Sequence, residues 1–136
     1  VAEHCVRISH IVPTEHTLWG LLHDAAEAYV SDLPRPVKRQ IPDFVTYEDA
    51  LLARIMDHFG LPADMPAAVK RADDVLLATE QRDLMAEPPE AWGHAVEPLA
   101  EPIEPWSPLL AEQAFLARFH ELSRSRGRIA GDEEHS

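Results

Sequence analysis

Apolar residues recur at helical spacing along most of this chain, and no stretch alternates with the period of a strand. Cys5, Ile8, Ile11 and Val12 form one side of a predicted helix over 2–12, which Pro13 ends. Thr14 suits the N-cap of a second helix running to about Val30, with Glu15 in its first turn. Its inward side is Leu18, Trp19, Leu21, Leu22, Ala25 and Ala26. Two prolines in Ser31-Asp32-Leu33-Pro34-Arg35-Pro36 break that helix into a loop, followed by a short turn at 37–40. Pro42 fits the first position of a third helix, which carries Leu51, Leu52, Ile55, Met56 and Phe59 and ends at Gly60. Pro66 starts a fourth, reaching about Met85, with Val69, Leu76, Leu77 and Leu84 buried. A last helix over 109–122 carries Leu110, Ala114, Phe115, Ala117 and Phe119, and the polar tail from Ser123 is expected to fray. The pattern predicts an all-α fold, a compact helical bundle.

Residues 86–108 differ in kind. They hold six of the 12 prolines, interleaved with Glu87, Glu90, Glu97, Glu101 and Glu104, and no lysine or arginine occurs between Arg82 and Arg118. Such a segment predicts a surface excursion of the sort that often forms a functional lid. Trp92 and Trp106 within it predict that it packs back on the body.

A length of 136 residues suits one domain spanning 1–136 with a sizeable core. The chain opens at Val1 directly into a helical pattern, from which a native N-terminal segment is expected upstream. No apolar run approaches the ~20 residues of a membrane span, and a single cysteine, Cys5, fits a reducing, cytoplasmic setting. With 24 acidic against 12 basic residues the net charge is −12, which argues against a long nucleic acid as partner. It leaves room for a small phosphorylated ligand, which needs only local cations. Those cations are grouped: the only lysines, Lys38 and Lys70, stand near Arg35, Arg39 and Arg71.

The chemistry concentrates at His23-Asp24. A carboxylate on an apolar helix is costly to bury unless a cation or metal compensates it. An imidazole and a carboxylate emerging together can share a divalent transition metal such as Mn, Co, Zn, Fe or Ni. His4 on the first helix and Asp73 on the fourth are the natural partners. Asp73 lies four residues after Val69 and three before Leu76, on their inward face, whereas Asp74 is rotated away. Two nitrogens and two carboxylates would leave coordination positions open for water and a substrate oxygen. Glu27, four residues after His23, shares its helix face. His10, His16, His58, His94, His120 and His135 read as polar surface residues, and Cys5 as a small buried hydrophobe.

The order of these motifs resembles the HD phosphohydrolase superfamily. Ala2-Glu3-His4-Cys5, Leu22-His23-Asp24-Ala25-Ala26-Glu27, Asp32-Leu33-Pro34-Arg35-Pro36-Val37-Lys38 and Lys70-Arg71-Ala72-Asp73 are similar to bacterial 5′-deoxynucleotidases and to phage-type dATP phosphohydrolases. The resemblance covers about residues 1–85. It implies an HD-type bundle with His4, His23, Asp24 and Asp73 as metal ligands. It implies Glu27 as the catalytic group that orients or deprotonates water, and Asp32 as a residue holding the nucleotide or handling the leaving group. Lys38, with Arg35, would bind phosphate. Asp32 fits equally an Asx-turn before the proline loop, and Lys70 an ion pair with Asp74. Ala28 departs from the ppGpp hydrolases, which carry Glu-Asp where this chain has Glu27-Ala28, and the glycine-tyrosine-proline motif of cyclic-di-GMP diesterases is absent.

The expected activity is metal-dependent hydrolysis of phosphate from a small-molecule (deoxy)nucleotide such as a dNMP or dATP. No membrane partner is expected, and a homo-oligomer is compatible with the sequence. The alternatives are hydrolysis of another small phosphate ester or diester, or a non-catalytic metal-binding HD module.

Overall fold

The computed structural model describes residues 1–84 and 97–134, with side chains through 124. Among the described residues every regular element is helical, so the fold is all-α. Helix α1 spans Ala2–Ile11, and a 3₁₀ turn at Thr14–His16 leads into α2, Thr17–Leu22. Two short helices follow, α3 at Glu27–Val30 and α4 at Arg35–Gln40. The longer helices are α5, Pro42–His58, α6, Ala67–Leu84, and α7, Pro108–Glu134.

The single helix expected over 14–30 is in fact broken at the chemically active dipeptide. From Leu22 onward the backbone tightens: the Ala25 N–H bonds Leu22 O, and the Glu27 N–H bonds Asp24 O, each three residues back. At this break His23 Nδ1 donates to Gly20 O at 2.6 Å, a side-chain bond back to the helix's own backbone. Ser31, with φ 65, then ends α3 in a left-handed turn before the proline loop.

Residues 35–40 form a helix rather than a turn. Pro36 sits in its first turn, where a missing N–H breaks no helical bond. The tail also departs from expectation, because the α7 backbone stays helical to Glu134. Leu122 still packs on the core, and elongating a nucleated helix needs little further stabilisation. Of the excursion, residues 85–96, including Trp92 and His94, lie outside the described residues, as does His135. The remainder runs as an irregular strap along the body. Thr79 Oγ1 accepts from the Leu99 N–H, and Asp83 accepts from the Ile103 N–H. Arg82 donates to Leu99 O and Glu101 O, while Glu3 accepts from the Trp106 N–H. Arg7 lies 4.7 Å over the Trp106 ring, so that tryptophan does pack back.

The core joins Ile8 of α1 and Val12 just beyond it to Trp19 and Leu22 of α2, Met56 of α5, and Val69 and Leu76 of α6. Ile11, expected inward, is exposed, and so are Leu84 and Leu110. A second cluster of Cys5, Val6 and Leu21 is covered by Trp106, Phe115 and Phe119. At Gly20 an added Cβ would lie 3.0 Å from Ile8 Cγ2 and 3.3 Å from Val12 Cγ2. This absent side chain lets α1 and α2 approach closely, and that approach sets His4 beside His23.

Candidate metal centre

Four side chains from three regions converge where α1, α2 and α6 meet. His4 Nε2 lies 2.8 Å from Asp73 Oδ1 and 4.0 Å from Asp24 Oδ2. His23 Nε2 lies 3.3 Å from Asp24 Oδ2 and 3.4 Å from Asp73 Oδ1. The two imidazole rings stand 5.2 Å apart at 44°. The structure therefore brings together all four residues read from the sequence as ligands. Asp74 is turned outward as expected, pairing with Lys70 at 3.5 Å.

Hydrogen bonds settle which nitrogen of each histidine faces inward. A peptide carbonyl can only accept, so His23 Nδ1, bonded to Gly20 O, carries a proton. A carboxylate likewise accepts, so His4 Nδ1 donates to Glu80 Oε1 at 2.7 Å. Both Nε2 atoms then point at the carboxylates. His23 Nε2 is buried without a hydrogen-bond partner. The nearby oxygens are within charge-attraction distance but outside hydrogen-bond geometry. A fully buried polar atom left unsatisfied is costly and calls for an explanation. Two imidazole nitrogens and two carboxylates are a donor set that suits a divalent transition metal, so the residues present fit such an ion.

Electrostatics agree with that fit. Burial disfavours the imidazolium of His4, yet Asp73 and Glu80 outweigh it and raise the pKa to about 9. Burial likewise opposes charge on His23, but Asp73, Cys5 and Asp24 raise it to about 11. Burial pushes Asp73 up, and its two histidine partners pull it well below the carboxylate range. Without a metal, the centre balances its carboxylates with imidazolium protons that an ion would replace.

Glu27 stands at the edge of this group. Burial, then the charges of Asp24 and Asp32, raise its carboxyl to about 7, against the pull of Lys38. Asp32 is exposed in the loop, and Lys38 reaches back to it at 3.7 Å. Lys38 Nζ also donates to Glu48 Oε1 at 3.2 Å and lies over the Phe44 ring. Arg35 is exposed on α4. A cavity of about 330 Å³ opens beside Asp24 and Glu27, walled by Leu21, Ala25, Ala28 and Phe115.

The sequence reading missed Glu80 and Glu48. Glu80 could have been found, because it follows Asp73 by seven residues, two turns along the same helix face. Glu48 had no such signal, since only the packing of α4 on α5 brings it to Lys38. Of the histidines set aside as surface residues, those within the described residues stay outside the centre: His10, His58 and His120 are exposed, and His16 is half-buried.

Over 134 residues the chain is 40% identical to the uncharacterized protein YfdR of Escherichia coli K12, covering 93% of this chain and 72% of that protein. The chain belongs to the YfdR family. An uncharacterized protein of Rhodobacter capsulatus is 34% identical over 145 residues, covering 92% of this chain and 73% of its own length. No family model and no solved structure matches the chain.

Proposed function

We propose that this YfdR-family protein is a metal-dependent phosphohydrolase of the HD type, acting in the cytoplasm on a (deoxy)nucleotide such as a dNMP or dATP. The observation that carries the reading is the orphaned His23 Nε2, held by its Gly20 bond to face Asp24 and Asp73. His4, His23, Asp24 and Asp73 would hold one divalent transition metal. Bound there, Mn, Co, Zn, Fe or Ni would supply Lewis-acid polarisation of a phosphoryl oxygen and acidify water.

The chain's own residues supply the rest. Glu27, at the edge of the centre beside Asp24, accepts a proton from the attacking water. The apolar cavity wall at Leu21, Ala25 and Phe115 offers a surface to the nucleoside part. Asp32 and Lys38 form the mouth on the loop side. Asp24, Glu27 and Asp73 line the centre, and Asp32 and Glu48 flank Lys38 at its mouth. An anionic phosphate would be repelled there without a metal.

Phosphate release from a panel of deoxynucleoside mono- and triphosphates, with Mn, Co or Zn, tests the reading. Metal-dependent release from a nucleotide is expected. Lys38 is already engaged by Glu48 and Asp32, and this favours a second reading, a less highly charged phosphate ester or diester. Release from simple esters alone would select that reading. Metal binding with no turnover of any substrate would leave a non-catalytic metal module.

A further inference from the structure

We propose that Glu80 is a positioning residue of the metal centre, orienting the His4 ring so that its Nε2 lone pair serves as a donor. The inference rests on the metal reading above and adds a role for a residue outside the ligand set. Glu80 Oε1 stands 2.7 Å from His4 Nδ1, on the ring nitrogen opposite Asp73. Its side chain is four-fifths buried, and His4 is more buried still, so water competes weakly for this bond. A carboxylate on the distal nitrogen fixes the tautomer and makes the imidazole more basic.

The two histidines are held differently. His23 is oriented by a neutral carbonyl within its own turn, at Gly20. His4 comes from α1, and its ring is held by a charged group 76 residues away on α6. Asp73 and Glu80 are seven residues apart on that helix, so one helix face grips both nitrogens of one ring. The grip fixes α1 against α6 at the centre. It also adds a third carboxylate to Asp24 and Asp73, which strengthens the demand for a cation.

The test compares the full chain with Glu80→Ala and with Glu80→Met, which keeps the volume and helix propensity but offers only a weak acceptor. Zn(II) affinity, measured by competition with a chromophoric chelator, should fall about 10–100-fold in both. In the Zn(II)-loaded protein, the solvent-protected Nδ1–H resonance of His4 should be lost, while that of His23 persists. A general loosening of the fold would weaken both resonances together, so the His23 signal is an internal control. Should Glu80→Ala not fold, Glu80→Met alone decides. Wild-type affinity with the His4 resonance retained in the folded variant would overturn the role of Glu80 and leave the metal reading standing. Failure of the wild-type protein to bind Zn(II), Mn(II) or Co(II) would remove the metal reading and this role with it.

Discussion

His23 and Gly20 are joined twice over in function: the Gly20 carbonyl holds His23 Nδ1 at 2.6 Å, and the missing Gly20 side chain lets Ile8 of α1 pack against the same turn. One residue therefore orients one histidine and admits the helix that carries the other. Gly20→Ala keeps the carbonyl but places a methyl 3.0 Å from Ile8 Cγ2. Overpacking of this kind costs about 1–3 kcal/mol, against a helix-propensity gain of roughly 0.5–1 kcal/mol. We expect net destabilisation in urea unfolding and weaker Mn(II) binding, because His4 is pushed away from His23. An equally stable variant with unchanged metal affinity would show that the close approach is dispensable.

Asp24 separates metal binding from core packing. Its side chain is 30% exposed, so removing it leaves no large cavity. Asp24→Ala should keep its metal-free stability to within about 1 kcal/mol, yet lose metal-dependent turnover. The wild-type protein should gain about 2.7 kcal/mol of stability at a metal concentration of 100 Kd, and the variant almost none. A full metal-induced gain in Asp24→Ala would remove Asp24 from the ligand set.

Much of the centre could be read in the sequence because its signals are local. His23-Asp24 sits on an apolar stripe, Glu27 follows at helical spacing, and Asp73 lies between Val69 and Leu76. The hydrophobic period also located every long helix. It could not foresee the break at His23, because the apolar stripe runs on unchanged through the tightened turn. Nor could it place Ile11, which continues the apolar pattern of α1 but lies where nothing covers it fully. The bonds of Glu80 to His4 and of Glu48 to Lys38 depend on helix docking. Only the first left a trace, in the seven-residue spacing from Asp73.

Glu27 gives the protein a pH signature. Its pKa is raised from 4.5 to about 7, so the folded state holds the proton more tightly than the unfolded chain. Stability from this group is complete below 4.5 and declines as pH rises through about 7. Glu27→Gln removes that decline. In metal-free protein the variant should match wild type near pH 4 and exceed it above pH 7, by about 1 kcal/mol after allowance for solvent screening. If Glu27 is the proton acceptor, wild-type turnover should rise with pH as its carboxyl ionises, and Glu27→Gln should lose about 10²–10⁴ in rate while keeping its metal. A variant whose stability tracks wild type at every pH would show that Glu27 is not perturbed as described.

Lys38 links the loop to the base. Its ammonium lies between Asp32 at 3.7 Å and Glu48 at 3.2 Å, and its charge lowers the pKa of Glu27. Two effects should therefore follow from Lys38→Ala. Use of a triphosphate should suffer more than use of a monophosphate, because a point charge matters most where phosphate charge accumulates. The rising limb of the pH–rate profile should also move to higher pH, because Glu27 loses the positive charge that lowers its pKa while keeping Asp24 and Asp32. Added salt should narrow the difference between wild type and variant, since this pair is partly exposed. A loss confined to triphosphate use, with the pH limb unmoved, would make Lys38 a phosphate contact alone. An unchanged substrate profile with a shifted limb would make it a tuning residue that never meets the phosphate.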